Sequence, residues 1–395
     1  MSATAPAGGE RARMRRARTA VSLAFAVFGA QVGLWFAHIP AAVERLALDP
    51  AQLSLRLLLM GAIGFLAQPL AGIAIARYGS RRATLVLLPA FVIATTLLIG
   101  AATPAAFFAF AALTGLFAMP ANVGNNTLAT EFERRHGRAA MSWFHGCFSV
   151  GGLLGSLAGG QLIQAGYGDG RGALVAAALL LPAALWSVAN ALPGAPAAPA
   201  PRARPRLTLP APAILGLCAL VFCSTLIEGS VGDWSALYLA TVKHADPALA
   251  AGGYTLFSLA MAAMRFAGGP IVERLGPRRL LAAGGALMAA GLAIVVLAPW
   301  PWLSAGGFLV VALGASNFVP ILTSLAARTP GIAPSLGVAA IGSCMTLGLF
   351  AGPPAIGFIA QRWNLGVAFA ALAGVAALVA LAVALRRWPP AAAAD

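Results

Sequence analysis

The 395-residue chain is 60% hydrophobic and only 9% charged, far below the roughly 25% charged content of a soluble domain. A formal net charge of +15 would direct attention to nucleic acid in a soluble protein, but here the arginines stand between long apolar runs, which excludes that partner and specifies a polytopic membrane protein embedded in a lipid bilayer. Cys147, Cys218, Cys223 and Cys344 all fall inside apolar runs without metal-ligand spacing, so no disulfide framework, metal site or cofactor is expected.

A hydrocarbon core about 30 Å thick needs roughly 20 helical residues to cross it. Runs of that length recur near 19–39, 52–76, 83–102, 105–130, 140–164, 172–191, 211–240, 250–272, 279–298, 302–327, 334–360 and 365–385, twelve spans in an all-α chain. The expected organisation is a basic tail (1–18), a first six-helix bundle (19–191), a Pro/Ala/Arg linker (192–212), a second six-helix bundle (213–386) and a short tail (387–395). Arg11, Arg13, Arg15, Arg16 and Arg18 precede the first span, which is too long for a signal peptide and is read as uncleaved. With that end inside, the basic residues at 77–82, 134–138, 202–206, 274–279, 328 and 386–387 also fall inside, against Arg45, Arg171, Lys243 and Arg362 on the other side. The asymmetry predicts both termini in the cytoplasm of a multi-pass protein of the bacterial inner membrane.

Two predicted inner loops repeat. GIAIARYGSRR (72–82) and GPIVERLGPRR (269–279) share the form G-x(4)-R-x-G-x-R-R at an offset of 197 residues. The same offset carries Gly151, Gly155 and Gly160 onto Gly348, Gly352 and Gly357, and Gln31 onto Glu228. Several matches at one offset predict two like-oriented halves about an axis along the membrane normal, enclosing a central cavity.

Those loops resemble the signature between the second and third helices of the major facilitator superfamily, G-x-L-x-D-R-x-G-R-R, and the resemblance extends from about residue 19 to 387. The first copy departs from it by placing Ala76 at the acidic position, where the second has Glu273; Glu131, at the end of the fourth span, is a candidate substitute. The runs 125–155, 228–239 and 349–358 are similar to the bacterial branch that includes a rhizopine transport protein and inner-membrane relatives of unassigned substrate. The resemblance implies a secondary transporter that alternates access by rocking one half against the other. Arg77, Gly79, Arg81 and Arg82, with Glu273, Arg274, Gly276 and Arg278, would form the gating loops. A G-x-x-x-G-P pattern on the fifth helix, associated in that family with exporters, has Ser156 in the proline position here.

The polar residues inside the spans suggest the site. A charge at the bilayer centre costs at least about 2.5 kcal/mol, so Glu228 and Asp233 on the seventh span need a partner or a role. Glu228 is read as a proton-coupling carboxylate at the cavity, with Asp233 and Trp234 shaping its outer rim; a structural ion pair or helix cap is the bland alternative. Asn122 and Asn126 share a face of the fourth span, His145 and Ser149 a stripe of the fifth, and Gln31 and Trp35 one of the first, all at helical spacing. With Asn317 they are the candidate cavity wall, and His145 and Glu131 are further candidates for the proton. Arg265 would neutralise a carboxylate such as Glu228, but its depth nearer the cytoplasm favours snorkelling or pairing with Glu273. The chain contains no nucleotide-binding loop, so a proton gradient is the expected drive. The expected function is proton-coupled transport of a small polar organic solute, polyol- or amino-sugar-like, by a monomer. A proton-driven exporter of amphipathic compounds and a non-transporting sensor remain alternatives, and enzyme chemistry is not expected: GASN (314–317) lacks the glycine of an intramembrane protease motif.

Overall fold

The computed structural model describes residues 7–136, 140–192, 212–330 and 334–385. The described residues fold into thirteen helices: α1 (Ala7–Leu46), α2 (Pro50–Tyr78), α3 (Ser80–Ile99), α4 (Pro104–His136), α5 (Met141–Gln164), α6 (Arg171–Asn190), α7 (Pro212–Thr241), α8 (Pro247–Leu275), α9 (Pro277–Leu297), α10 (Pro301–Ala315), α11 (Phe318–Ala327), α12 (Pro334–Arg362) and α13 (Leu365–Leu385). Twelve segments are long and apolar enough to cross a membrane, α10 and α11 counting as one. Pro320 explains the division: it has no N–H for the carbonyl of Ser316, so the helix is interrupted one turn earlier, at Ser316 and Asn317. The expected linker falls almost wholly in 193–211, and the C-terminal tail in 386–395, outside the described residues.

The basic segment before the first span is a continuation of α1 rather than a separate tail. After Gly8 and Gly9 the segment to residue 18 is made of good helix formers, chiefly Ala and Arg, so the 40-residue helix is about 60 Å long, twice a bilayer core.

The internal repeat governs the backbone in detail. Asp49 and Asp246 cap α2 and α8, accepting from the N–H groups of Gln52 (2.7 Å) and Leu249 (2.9 Å), each followed by a proline at the first helical position. Just before them Ala47 and His244 are the two non-glycine residues with positive φ among those described. At the other ends Gly79 (φ 82°) and Gly276 (φ 75°) close the same helices through bonds to Ile75 and Val272. Every one of these pairs is separated by 197 residues. A cation acts alike in each half, at an offset of 198: Arg45 donates to Ile99 (2.6 Å), Ala101 and Gly168, while Lys243 donates to Val296 (3.0 Å) and Ala298 (2.7 Å). Apart from Gly168, which lies between α5 and α6, these are carbonyls at the ends of α3 and α9.

Glycines set the packing inside each half. Gly29 and Gly33 of α1 interlock with α5 at Gly151 and Gly155, where backbone atoms of the facing helix occupy the space a Cβ would need. Gly348 and Gly352 of α12 meet Phe222 and Leu226 of α7 in the same manner. In lipid, helices associate by such close packing.

Candidate functional site

The two halves meet along two antiparallel seams, α5 against α8 and α2 against α12. At the face remote from the N-terminus both are tight. Ser156 donates to the carbonyl of Ala251 (2.9 Å), Gly160 leaves no room for a Cβ beside Ala251, Gly357 leaves none beside Ser54, and the N–H of Ala51 donates to Gln361.

Deeper along the α5–α8 seam lies a charged cluster. The Arg265 guanidinium, on α8, approaches Glu228 of α7 (3.7 Å) and donates to the Ser149 hydroxyl (2.7 Å) and the His145 carbonyl (3.4 Å) on α5. Its charge is therefore compensated within the C-terminal half and hydrogen-bonded to the N-terminal half. Glu228 keeps a quarter of its side chain exposed, as a residue lining an internal space does. Gly152 of α5 lets the Tyr254 and Ser258 hydroxyls of α8 approach closely, and Phe36 of α1 packs edge-on against Tyr254 and beside Gly232. Asp233 is buried, and its Oδ1 has no hydrogen-bond partner among the described residues.

On the other seam the polar groups are neutral. A cavity of about 430 Å³ between α2, α4 and α12 is lined by Gln68, Asn122, Asn126, Thr127, Thr130 and Thr346 among apolar neighbours, with no charged residue. Asn126 donates to the side chain and carbonyl of Asn122 (2.9 and 2.8 Å). A second cavity of about 440 Å³ lies at the remote face near Asp49, Thr241 and Trp363 and contains none of the polar residues above.

The expected site residues thus divide. Glu228, Ser149 and the His145 backbone come together, and Asn122 and Asn126 share the neutral cavity. Gln31 and Trp35 face the interior of the first half: Gln31 is fully buried with its amide toward the Val92 carbonyl of α3 (3.4 Å), and Trp35 packs on Phe107. Gln31 is thus no mirror image of Glu228 across a cavity. Trp234 is likewise buried and donates to the Pro353 carbonyl of α12 (2.9 Å) rather than forming a rim. Asn317 is buried at the α10–α11 break beside Gly268, and the His145 ring stands edge-on to Phe25. Glu131 accepts from the Ser80 hydroxyl (2.6 Å), tying the α2–α3 turn to α4 without an arginine. Arg77, Arg82, Glu273, Arg274 and Arg278 are exposed, Arg81 and Gly276 partly buried and Gly79 buried. None of these charges belongs to either ion pair found among the described residues, Arg265–Glu228 and Arg171–Asp169. The alternative pairing of Arg265 with Glu273 is not the one formed.

Tyr254, Ser258 and Phe36 were not singled out by the sequence. Their signal is faint, because a hydroxyl at helical spacing on an apolar stretch looks the same whether it faces lipid, core or cavity.

The major facilitator superfamily profile matches residues 20–254 and again 217–395. The chain belongs to the major facilitator superfamily. An uncharacterized transporter of that type from Yersinia pestis is 35% identical over 92% of this chain and 92% of its own, and the membrane protein MosC of Rhizobium meliloti is 29% identical over 92% of this chain and 88% of its own. Among solved structures the nucleoside transporter NupG superposes with a TM-score of 0.68 at 14% identity, covering 94% of this chain and 98% of that one. A bacterial homolog of the human lysosomal transporter Spinster, inward-facing and unoccupied, gives 0.68 at 15% identity, covering 94% of both. At these identities the two structures support the shared fold. Membership places the protein among multi-pass membrane transporters rather than enzymes.

Proposed function

We propose that the protein is a proton-coupled secondary transporter of a small polar organic solute in the bacterial inner membrane, working as a monomer with both termini in the cytoplasm. The observation that carries this reading is the Arg265 bridge, which joins Glu228 in one half to Ser149 in the other. A contact between the halves must break when they rock, and on breaking it frees the arginine that partners a half-buried carboxylate. Glu228 is then the residue whose proton affinity differs between the two access states, and Asp233, lacking a cationic neighbour in either ion pair, is the second acid of the cavity.

The amide and hydroxyl lining of the α2–α4–α12 cavity supports a solute recognised chiefly by neutral hydrogen bonds, such as a polyol; an amino substituent, as in an amino sugar, would be met by Glu228 or Asp233. The arginine asymmetry supports the orientation.

Purified protein in proteoliposomes, screened with polyols and amino sugars with and without a pH gradient, tests the reading. Glu228→Gln should preserve solute exchange across the membrane and abolish accumulation driven by the gradient. Undiminished gradient-driven accumulation by that variant would restrict Glu228 to a structural ion pair and direct attention to Asp233.

A further inference from the structure

The two seams are related by the 197-residue repeat, yet they differ at the face that carries the N-terminus. The offset pairs Arg265 with Gln68, Phe266 with Pro69, Ser149 with Thr346 and Trp143 with Ala340. On the α5–α8 side the inner end is capped by two partly exposed aromatic rings. Gly146 leaves no space for a Cβ because the Phe266 ring lies against it, Trp143 packs on the same ring at 5.3 Å between centroids, and the indole of Trp143 is held by the Ser22 hydroxyl (3.0 Å) and covered by the Arg18 guanidinium (4.5 Å). The adjacent residue, Arg265, makes the bridge to Ser149 and Glu228. On the α2–α12 side proline replaces the aromatic plug and glutamine the cation, and the counterparts Gln68 and Thr346 line the 430 Å³ cavity instead of meeting.

We propose that Arg265 and Phe266 latch the α5–α8 seam at the N-terminal face, so that the central space communicates with that face through the α2–α12 seam alone. The physical basis is the contrast between an aromatic ring seated on Gly146 at the open end of the seam, its outer edge exposed, reinforced by a charge-assisted hydrogen bond across the halves, and a seam whose polar side chains leave room for water. Because Arg265 and Phe266 are consecutive on one rigid helix, loss of the Glu228 partner is transmitted to the ring by a rotation or shift of α8. This rests on the transporter reading only for what moves through the opening; the asymmetry of the seams is measurable without any solute.

The test is side-specific cysteine labelling in membrane vesicles of both orientations, on protein whose four native cysteines are replaced by alanine. Thr346→Cys reports the α2–α12 seam and Ser258→Cys the α5–α8 seam, each labelled by a membrane-impermeant thiol reagent from the N-terminal face. Thr346→Cys should react roughly tenfold or more faster than Ser258→Cys, the ratio following the fraction of time each seam is open. Adding Phe266→Ala, or Gly146→Val to unseat the ring, should raise labelling of Ser258→Cys and leave Thr346→Cys unchanged; Phe266→Trp should keep the seam closed. Glu228→Gln and Arg265→Ala should also speed Ser258→Cys labelling, Arg265→Lys less so. Equal reactivity of the two reporters, or continued protection of Ser258→Cys in both Phe266→Ala and Gly146→Val, overturns the latch. Unlatching by Phe266→Ala without any response to Glu228→Gln overturns its connection to the carboxylate. Oxidative footprinting of the unaltered protein at Met345, on the cavity, and the buried Met261 of α8 repeats the comparison with no substitution: equal oxidation there contradicts the proposal just as directly.

Discussion

Arg45 and Lys243 are where single residues do the clearest structural work. Each lies just beyond the apolar part of its span and turns its cation onto carbonyls that end a neighbouring helix. A hydrogen bond from a charged donor contributes about 1.5–3 kcal/mol, and the acceptors would otherwise be left partly unpaired. Arg45→Met and Lys243→Met are expected to lower the melting temperature in detergent, whereas Arg362→Met, on an exposed cation stacked over Trp363, should have little effect. Differential scanning fluorimetry decides it, and equal shifts for all three would remove the capping role. In sequence these cations counted only toward the inside–outside asymmetry. The partner of Glu228 was legible in part: Arg265 was a candidate, since buried charges need compensation, but the depth of Arg265 favoured snorkelling or a pair with Glu273. Ser149, on another half of the chain, could not be chosen without knowing which faces of α5 and α8 meet. Gln31 shows the converse error. Its repeat partner is Glu228, yet the rotation of α1 directs the amide toward Val92, and a rotation about the helix axis leaves no trace in residue spacing alone.

At the level of the helix, number and spacing were legible because lipid imposes a minimum apolar length, and the loop repeat predicted paired α2–α3 and α8–α9 turns. Two features were not. The interruption at Ser316 and Asn317 required weighing Pro320 against a hydrophobic run that looked continuous, and other helices hold proline without a break, as α2 does at Pro69. The glycines of α5 were matched to those of the second half by offset alone, which does not show that they form two stripes: Gly151 and Gly155 face α1, and Gly146, Gly152 and Gly160 face α8. The turn glycines give a direct test at this scale. Gly79 has φ 82°, which a side chain adopts at a cost of about 1–3 kcal/mol, while Gly72 lies mid-helix with open space around its Cα. Gly79→Ala should destabilise the protein and Gly72→Ala should be neutral or slightly stabilising, because alanine favours the helix. Chemical or thermal denaturation followed by circular dichroism compares them, and a loss of stability equal in the two variants would contradict the strain at the turn.

Across the whole molecule, the halves are clamped at the face remote from the N-terminus and parted by a cavity nearer the opposite one. The clamp consists of small residues: Ser156 and Gly160 on α5 against Ala251, and Gly357 on α12 against Ser54. Small residues confer no strong attraction of their own; they permit backbones to approach, so the association depends on shape and is readily disturbed by added volume. A bulky side chain at Gly357 meets Ser54 of α2 first and the Trp234 ring of α7 next, so it presses mainly between α2 and α12. Gly357→Leu should therefore separate the halves at this face and shift the population toward the state open there; because the Trp234 ring of α7 also borders Gly357, circular dichroism of the variant confirms that the second half stays folded. Spin labels at Glu44 and Asn364, both exposed on this face and in different halves, report the change: the interlabel distance measured by double electron–electron resonance should lengthen in Gly357→Leu and remain unchanged in Gly374→Leu, where the helix has open space. An unaltered distance in a folded Gly357→Leu protein would mean that the seam at Ser54 yields locally, and that the two halves do not move as rigid bodies about it.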